Sequence, residues 1–174
     1  MRENPLDASD IRDYLVEVAQ VLPDDCPQQV IVIVGGSLLA WLGLRETTAD
    51  VDSVKRIESA LREAVAEVAH RHGLSERWLN DAAAGFVPAT FDEQKCSLLL
   101  EDPRLRVLGA PLQQVFVMKL FAARASDFDD LVVIWDRCGF NSPEEAAELF
   151  HSAYPHLERD EFLADHIRGL ADSS

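Results

Sequence analysis

Val34-Gly35-Gly36-Ser37-Leu38-Leu39-Ala40-Trp41-Leu42-Gly43-Leu44-Arg45-Glu46-Thr47-Thr48-Ala49-Asp50-Val51-Asp52 is the stretch from which the fold can be read. It opens at the end of the run 29–34, Gln-Val-Ile-Val-Ile-Val, whose β-branched residues do not alternate with polar ones. Such a run reads as a strand buried on both faces. Gly35-Gly36-Ser37 then turns the chain. Residues 38–42 form a short apolar helix that Gly43 ends. A second strand follows over 48–54. Side chains alternate on a strand, so Asp50 and Asp52 share one face while Val51 points to the core.

Two features of this stretch bear on chemistry. Glycines between a buried strand and a helix let backbone approach a ligand, and the helix start presents N–H groups with positive dipole character. Gly35, Gly36 and Ser37 therefore suit a phosphate; the alternative is a plain strand-to-helix turn. Neighbouring carboxylates on one rigid face repel unless a cation lies between them. Mg²⁺ accepts one or two carboxylates and completes its shell with water and substrate phosphates. Asp50 and Asp52 are thus candidate metal ligands, and the alternative is a solvated edge strand or turn.

Outward from the stretch, Ser9 or Asp10 can cap a first helix carrying Ile11, Tyr14, Leu15, Val18 and Val21 at helical spacing, stopped by Leu22-Pro23-Asp24-Asp25. Ile57, Leu61, Ala64, Val65 and Val68 mark an amphipathic helix ending near Gly73. Trp78-Leu79-Asn80-Asp81 reads as a turn or loop, and 96–100 and 104–108 as two more strands joined by Glu101-Asp102-Pro103. Pro111 opens a helix, 127–138 continues as helix, Pro143 opens a third, and the C-terminus is helical and polar. The order predicts an α+β, or mixed α/β, fold in one domain over 1–174. A mixed core spans 25–110 and a helical part, 111–174, packs on it. Trp41 and Trp135 are expected in the core.

Lys119 interrupts an apolar stripe made of Leu112, Val115, Phe116, Ala122 and Ala123. A buried lysine is costly unless paired. Asp127 shares a face with Leu131, Ile134, Trp135 and Cys138, and Asp130 lies nearby, so a Lys119–Asp pair across two helices is the simple expectation. In a phosphoryl-transfer site the same lysine would hold a triphosphate. The alternative is a lysine snorkelling at the core edge, with Asp127 as an N-cap.

Composition bounds these readings. The chain has 174 residues, 48% of them apolar, which is ample for a core. With 31 acidic and 16 basic residues the net charge is -15, so nucleic acid is repelled at long range, which argues against a general DNA or RNA coat protein and leaves open a local basic groove or a tRNA bound by few contacts. Cys26, Cys96 and Cys138 are scattered and form no CxxC pair, which fits reduced thiols in a cytoplasmic protein rather than disulfides or a zinc site. Residues 1–5 hold no signal core, and no run is long enough to span a membrane. His70 and His72 lie two apart on a helix and make no metal pair.

Taken in order, these residues resemble the nucleotidyltransferase superfamily, where a Gly-Gly or Gly-Ser turn precedes an Asp-x-Asp strand. The form running from Gly43 through Arg45, Thr47, Thr48 and Asp50 to Asp52 is similar to the branch that holds AbiE-type and MenT-type toxins and many uncharacterised bacterial proteins. Lys119 to Arg124, with Asp127 to Leu131, resembles that branch's second signature, and the segment 78–81 is similar to one in uncharacterised members. The resemblance implies a mixed sheet with flanking helices, and transfer of a nucleoside monophosphate from a nucleoside triphosphate with Mg²⁺ or Mn²⁺. It implies that Asp50 and Asp52 hold metal. Gly35, Gly36, Ser37, Arg45, Thr48 and Lys119 would contact nucleotide, and Asp127 or Asp130 would position Lys119 or act as a base. The acceptor is expected to be an RNA, protein or small-molecule hydroxyl, in a toxin–antitoxin or phage-defence setting with an antitoxin or other protein partner. The competing expectation is a silent binding module that keeps the fold and works through a protein partner. A third carboxylate is expected from Asp81, Asp92, Glu93 or Glu101.

Overall fold

The β-branched run forms β1 (Gln29–Val34), buried along nearly its whole length. The computed structural model describes residues 5–173, so residues 1–4, read above as free of a signal core, lie outside the described residues. Four further strands are β2 (Val51–Ser53), β3 (Leu79–Asn80), β4 (Ser97–Glu101) and β5 (Leu105–Gly109). They form one five-stranded sheet in the order β3-β2-β1-β5-β4. β1 runs parallel to β5 and antiparallel to β2, β2 runs parallel to β3, and β4 and β5 are an antiparallel hairpin. The fold is thus the expected α+β mixture. No helix among the described residues is long and apolar enough to cross a membrane.

The chain divides into two compact units, Met1–Gly85 with Cys96–Ala110, and Phe86–Lys95 with Pro111–Ser174. The first holds the sheet with α1 (Ala8–Val21), α2 (Gly35–Trp41) and α3 (Ser59–His72). α1 packs on α2 and α3 through Ile11, Leu15 and Val18. Its cap is Asp7, not Ser9 or Asp10. The Asp7 carboxylate accepts the Ser9 and Asp10 N–H groups, while Asp10 accepts the N–H of Asp7. Reciprocal capping of this kind satisfies donors that a helix start leaves unpaired. The helix begins earlier because Leu6 is already fixed, its N–H donating to the Thr48 carbonyl at 2.7 Å and its carbonyl accepting from Thr48 at 2.9 Å.

That pairing also shortens the second strand, expected over 48–54. Thr48 spends its backbone on Leu6, so β2 begins at Val51. At its other end buried Ser53 accepts the Val32 N–H at 3.3 Å and donates to the Lys55 carbonyl at 3.0 Å, which bends the chain away. The glycine turn belongs to α2 itself, whose first residue is Gly35 at φ +62°, a conformation that favours glycine. The segment read as a loop contains β3. Trp78 is 2% exposed, its indole N–H donating to the Val65 carbonyl. Trp41 and Trp135, expected in the core, are only half-buried. The Arg12 guanidinium lies 4.8 Å from the Trp41 ring centroid, so that face is covered by a cation rather than by core.

The second unit holds α4 (Leu112–Ala122), α5 (Phe128–Cys138), α6 (Pro143–Ala153) and α7 (Leu163–Ala171). α4 packs on α5 and α6, and α7 on both of those. A core of Val117, Ala153 and Tyr154 is flanked by Phe121, Leu149 and Phe150, and the Phe121 and Tyr154 rings stack at 4.2 Å. The strap 86–95 is tied in by Ala89 donating to the Ala153 carbonyl and by the Tyr154 hydroxyl donating to that of Phe86.

Lys119 lies within this unit, 7% exposed, and donates to Asp127 Oδ1 and to Asp130 Oδ2, each at 2.7 Å. The lysine does not snorkel. The Asp127 side chain does not cap α5, because its carboxylate is turned onto the ammonium. Charge-assisted hydrogen bonds of this length tie α4 to the start of α5.

Lys119→Met leaves two buried aspartates without their cation and should lower the unfolding free energy by about 3–5 kcal/mol in a denaturant titration. An unchanged titration would show that the ion cluster does not hold the helices. Burial pushes the Cys138 thiol up to about 12, so at pH 8 it stays protonated. A thiol reagent should then label the half-buried Cys26 and Cys96 in the native protein and reach Cys138 only after denaturation.

Candidate active site

The antiparallel register of β1 and β2 pairs Val34 with Asp52. Asp52 therefore stands opposite the last residue before the glycine turn. Asp50 and Asp52 are both half-buried, while Val51 and Ser53 between and beyond them are fully buried. Asp50 lies just before β2 and Asp52 on it, and Asn80, the partner of Asp52 on β3, donates to Asp50, so the two carboxylates lie on one side.

The glycines fit tightly against this face. A methyl group at Gly35 would lie 3.7 Å from Asp52 Oδ2 and would be strained by the positive φ. At Gly36 it would come within 2.8 Å of Thr48 Oγ1 and 3.3 Å of an Arg45 guanidinium nitrogen. Real β-carbons do not come as close as 2.8 Å, so Gly36 is required for α2 to pack on the loop before β2. The Thr48 hydroxyl in turn donates to the Asp50 carbonyl at 3.1 Å, and Arg45 Nε donates to the Thr47 carbonyl at 2.7 Å. Gly35, Gly36, Arg45, Thr48, Asp50 and Asp52 are therefore one connected cluster. Ser37 belongs to the same turn but is 1% exposed, and its hydroxyl donates to the Val34 carbonyl at 2.9 Å.

One member of the cluster was hidden in the sequence. Asn80 pairs with Asp52 across β2 and β3, and its Nδ2 donates to Asp50 Oδ2 at 3.1 Å. Asn80 also lines a cleft of about 210 Å³ with Arg62, Arg77 and Asp81. Asp81 itself accepts the Ile57 N–H at 3.0 Å and lies 3.9 Å from Arg62, so it anchors the segment before α3. Glu101 is engaged with Arg106 at 3.1 Å on the far hairpin. Asp92 and Glu93 lie in the second unit. Lys119, Asp127 and Asp130 form their own buried cluster within that second unit.

Among the described residues no group of three or more His, Cys, Asp or Glu side chains could hold a metal. The donor set at β2 is two carboxylates on one face. This set is too small to cage a structural ion and suits a hard cation that keeps water and substrate oxygens in its shell.

Comparison with known proteins agrees at the level of family. No curated protein and no solved structure matches the chain. A family model described as nucleotidyltransferase of unknown function (DUF6036) matches residues 10–156, a span that includes the glycine turn, Asp50, Asp52 and the Lys119 cluster. The chain belongs to this family of nucleotidyltransferases of unknown function.

Proposed function

We propose that this protein transfers a nucleoside monophosphate from a nucleoside triphosphate to a hydroxyl acceptor, with Mg²⁺ or Mn²⁺ held by Asp50 and Asp52. One observation carries the reading: the Asp52 carboxylate lies against Gly35, with Asp50 on the same strand face. With no side chain at Gly35, backbone rather than a β-carbon faces the acid, the arrangement that lets a ligand come close to the chain. A divalent ion held there would neutralise phosphate charge and make the acceptor hydroxyl more acidic. The Arg45 guanidinium, beside Gly36, supplies charge suited to phosphate oxygens. Ser37 enters through its place in the turn, since its hydroxyl is held by Val34.

In the reaction, the acceptor oxygen bonds to the α-phosphorus as the α–β phosphoanhydride bond breaks. Pyrophosphate leaves and the hydroxyl proton passes to water. Positioning and charge neutralisation supply most of the acceleration. Within the second unit, the resemblance separately suggests Lys119 as a phosphate-neutralising cation, positioned by Asp127 and Asp130. It also supports a cytoplasmic toxin–antitoxin or phage-defence setting with a protein antitoxin. With a net charge of -15, a protein or small-molecule acceptor suits the surface better than a long RNA.

The test is transfer of label from each nucleoside triphosphate, with Mg²⁺, into RNA, protein or small molecules of a cell extract. Asp52→Asn should lower the transfer by about 100-fold or more while leaving the melting temperature near that of the wild type. Transfer that survives Asp52→Asn contradicts the proposal. Absence of both transfer and Mg²⁺-dependent nucleotide binding would instead favour a silent module acting through a protein partner.

A further inference from the structure

We infer that Asn80 is a positioning residue for Asp50, a role that rests on the metal-holding function proposed for β2. The side-chain amide of Asn80 is fixed at both ends. Its Oδ1 accepts the Ala82 N–H at 2.9 Å, and its Nδ2 donates to Asp50 Oδ2 at 3.1 Å. The first bond sets the direction of the second: with the oxygen committed to a backbone donor, the NH₂ group is the end that faces the carboxylate. Nδ2 also donates to the Arg77 carbonyl at 3.3 Å, which holds the amide against rotation.

The backbone supports this placement from both sides. β3 pairs in parallel with β2, with Val51 opposite Leu79 and Asp52 opposite Asn80. The Val51 N–H donates to the Trp78 carbonyl at 2.6 Å, and Trp78 is anchored in the core through Val65. Asn80 is therefore carried on a short strand that cannot slide along β2. Asp50 precedes β2 by one residue and lacks the ladder that holds Asp52. Its carboxylate accepts from Asn80, and its backbone carbonyl accepts from Thr48. A neutral donor serves this purpose better than an arginine or lysine. It orients one carboxylate oxygen without cancelling the charge a cation needs, as outer partners of metal ligands do.

Mn²⁺ binding followed by electron paramagnetic resonance of the full chain tests the inference. Two variants separate orientation from local structure. Asn80→Ala removes both bonds, whereas Asn80→Ser keeps a short oxygen that can accept the Ala82 N–H but cannot reach Asp50. Both should bind Mn²⁺ roughly 10-fold more weakly than the wild type. In an Asp50→Asn background, Asn80→Ser should have no further effect, because the residue acts through that carboxylate. Wild-type affinity in Asn80→Ser, or an equal loss in the presence and absence of the Asp50 carboxylate, overturns the role of Asn80. Should the wild type bind no Mn²⁺, or bind it equally well as Asp52→Asn, the metal reading fails and the role of Asn80 fails with it. Loss in Asp52→Asn with none in Asn80→Ser leaves the metal reading standing and removes Asn80 alone.

Discussion

The pairing of Val34 with Asp52 is the constraint on which the first unit depends. β1 is paired with β5 from Gln29 to Ile33 and with β2 at Ile33 and Val34, which fixes its end just before the glycine turn. Antiparallel pairing then leaves β2 a single register in which Val51 and Ser53 are buried. A shift by one residue would send both carboxylates into the core and Val51 out of it. The hydrophobic preference of Val51 and the cost of burying acids thus choose the same register. That register sets a carboxylate against Gly35.

Small groups enforce the arrangement from outside the strand. Gly36 admits Thr48, whose backbone is tied to Leu6 and whose hydroxyl holds the Asp50 carbonyl. Ser53 closes the other end of β2 against Val32. Each is a local bond of modest strength, about 1 kcal/mol in typical cases, but together they leave the strand little freedom. The Lys119 cluster in the second unit follows another logic. There two carboxylates and one ammonium lie away from water, so each depends on the others for compensation.

Much of this was legible in the sequence because the signals were long or chemically costly. The unalternating run 29–34 could only be a buried strand, and the alternation of Asp50, Val51 and Asp52 gave the face directly. Lys119 within an apolar stripe demanded a partner, and the structure supplies both of the aspartates that the sequence offered. The misses were short or non-local. β3 is two residues long, too few for any period to show, so Asn80 was read as part of a loop. The cap at Asp7 and the late start of β2 both follow from the bridge between Leu6 and Thr48, whose partners lie far apart in the chain. Trp41 was expected in the core because an apolar neighbourhood in sequence hid the arginine that covers its ring.

On the reading proposed for β2, a divalent ion sits on its face beside the glycine turn. Paramagnetic broadening of backbone amide resonances by substoichiometric Mn²⁺ reads this location directly, since the effect falls steeply with distance from the ion. Gly35, Gly36, Asp52 and Asn80 should broaden first, and Asp52→Asn should remove the effect. Broadening centred on other acidic residues, or spread evenly over the surface of this acidic chain, would contradict it.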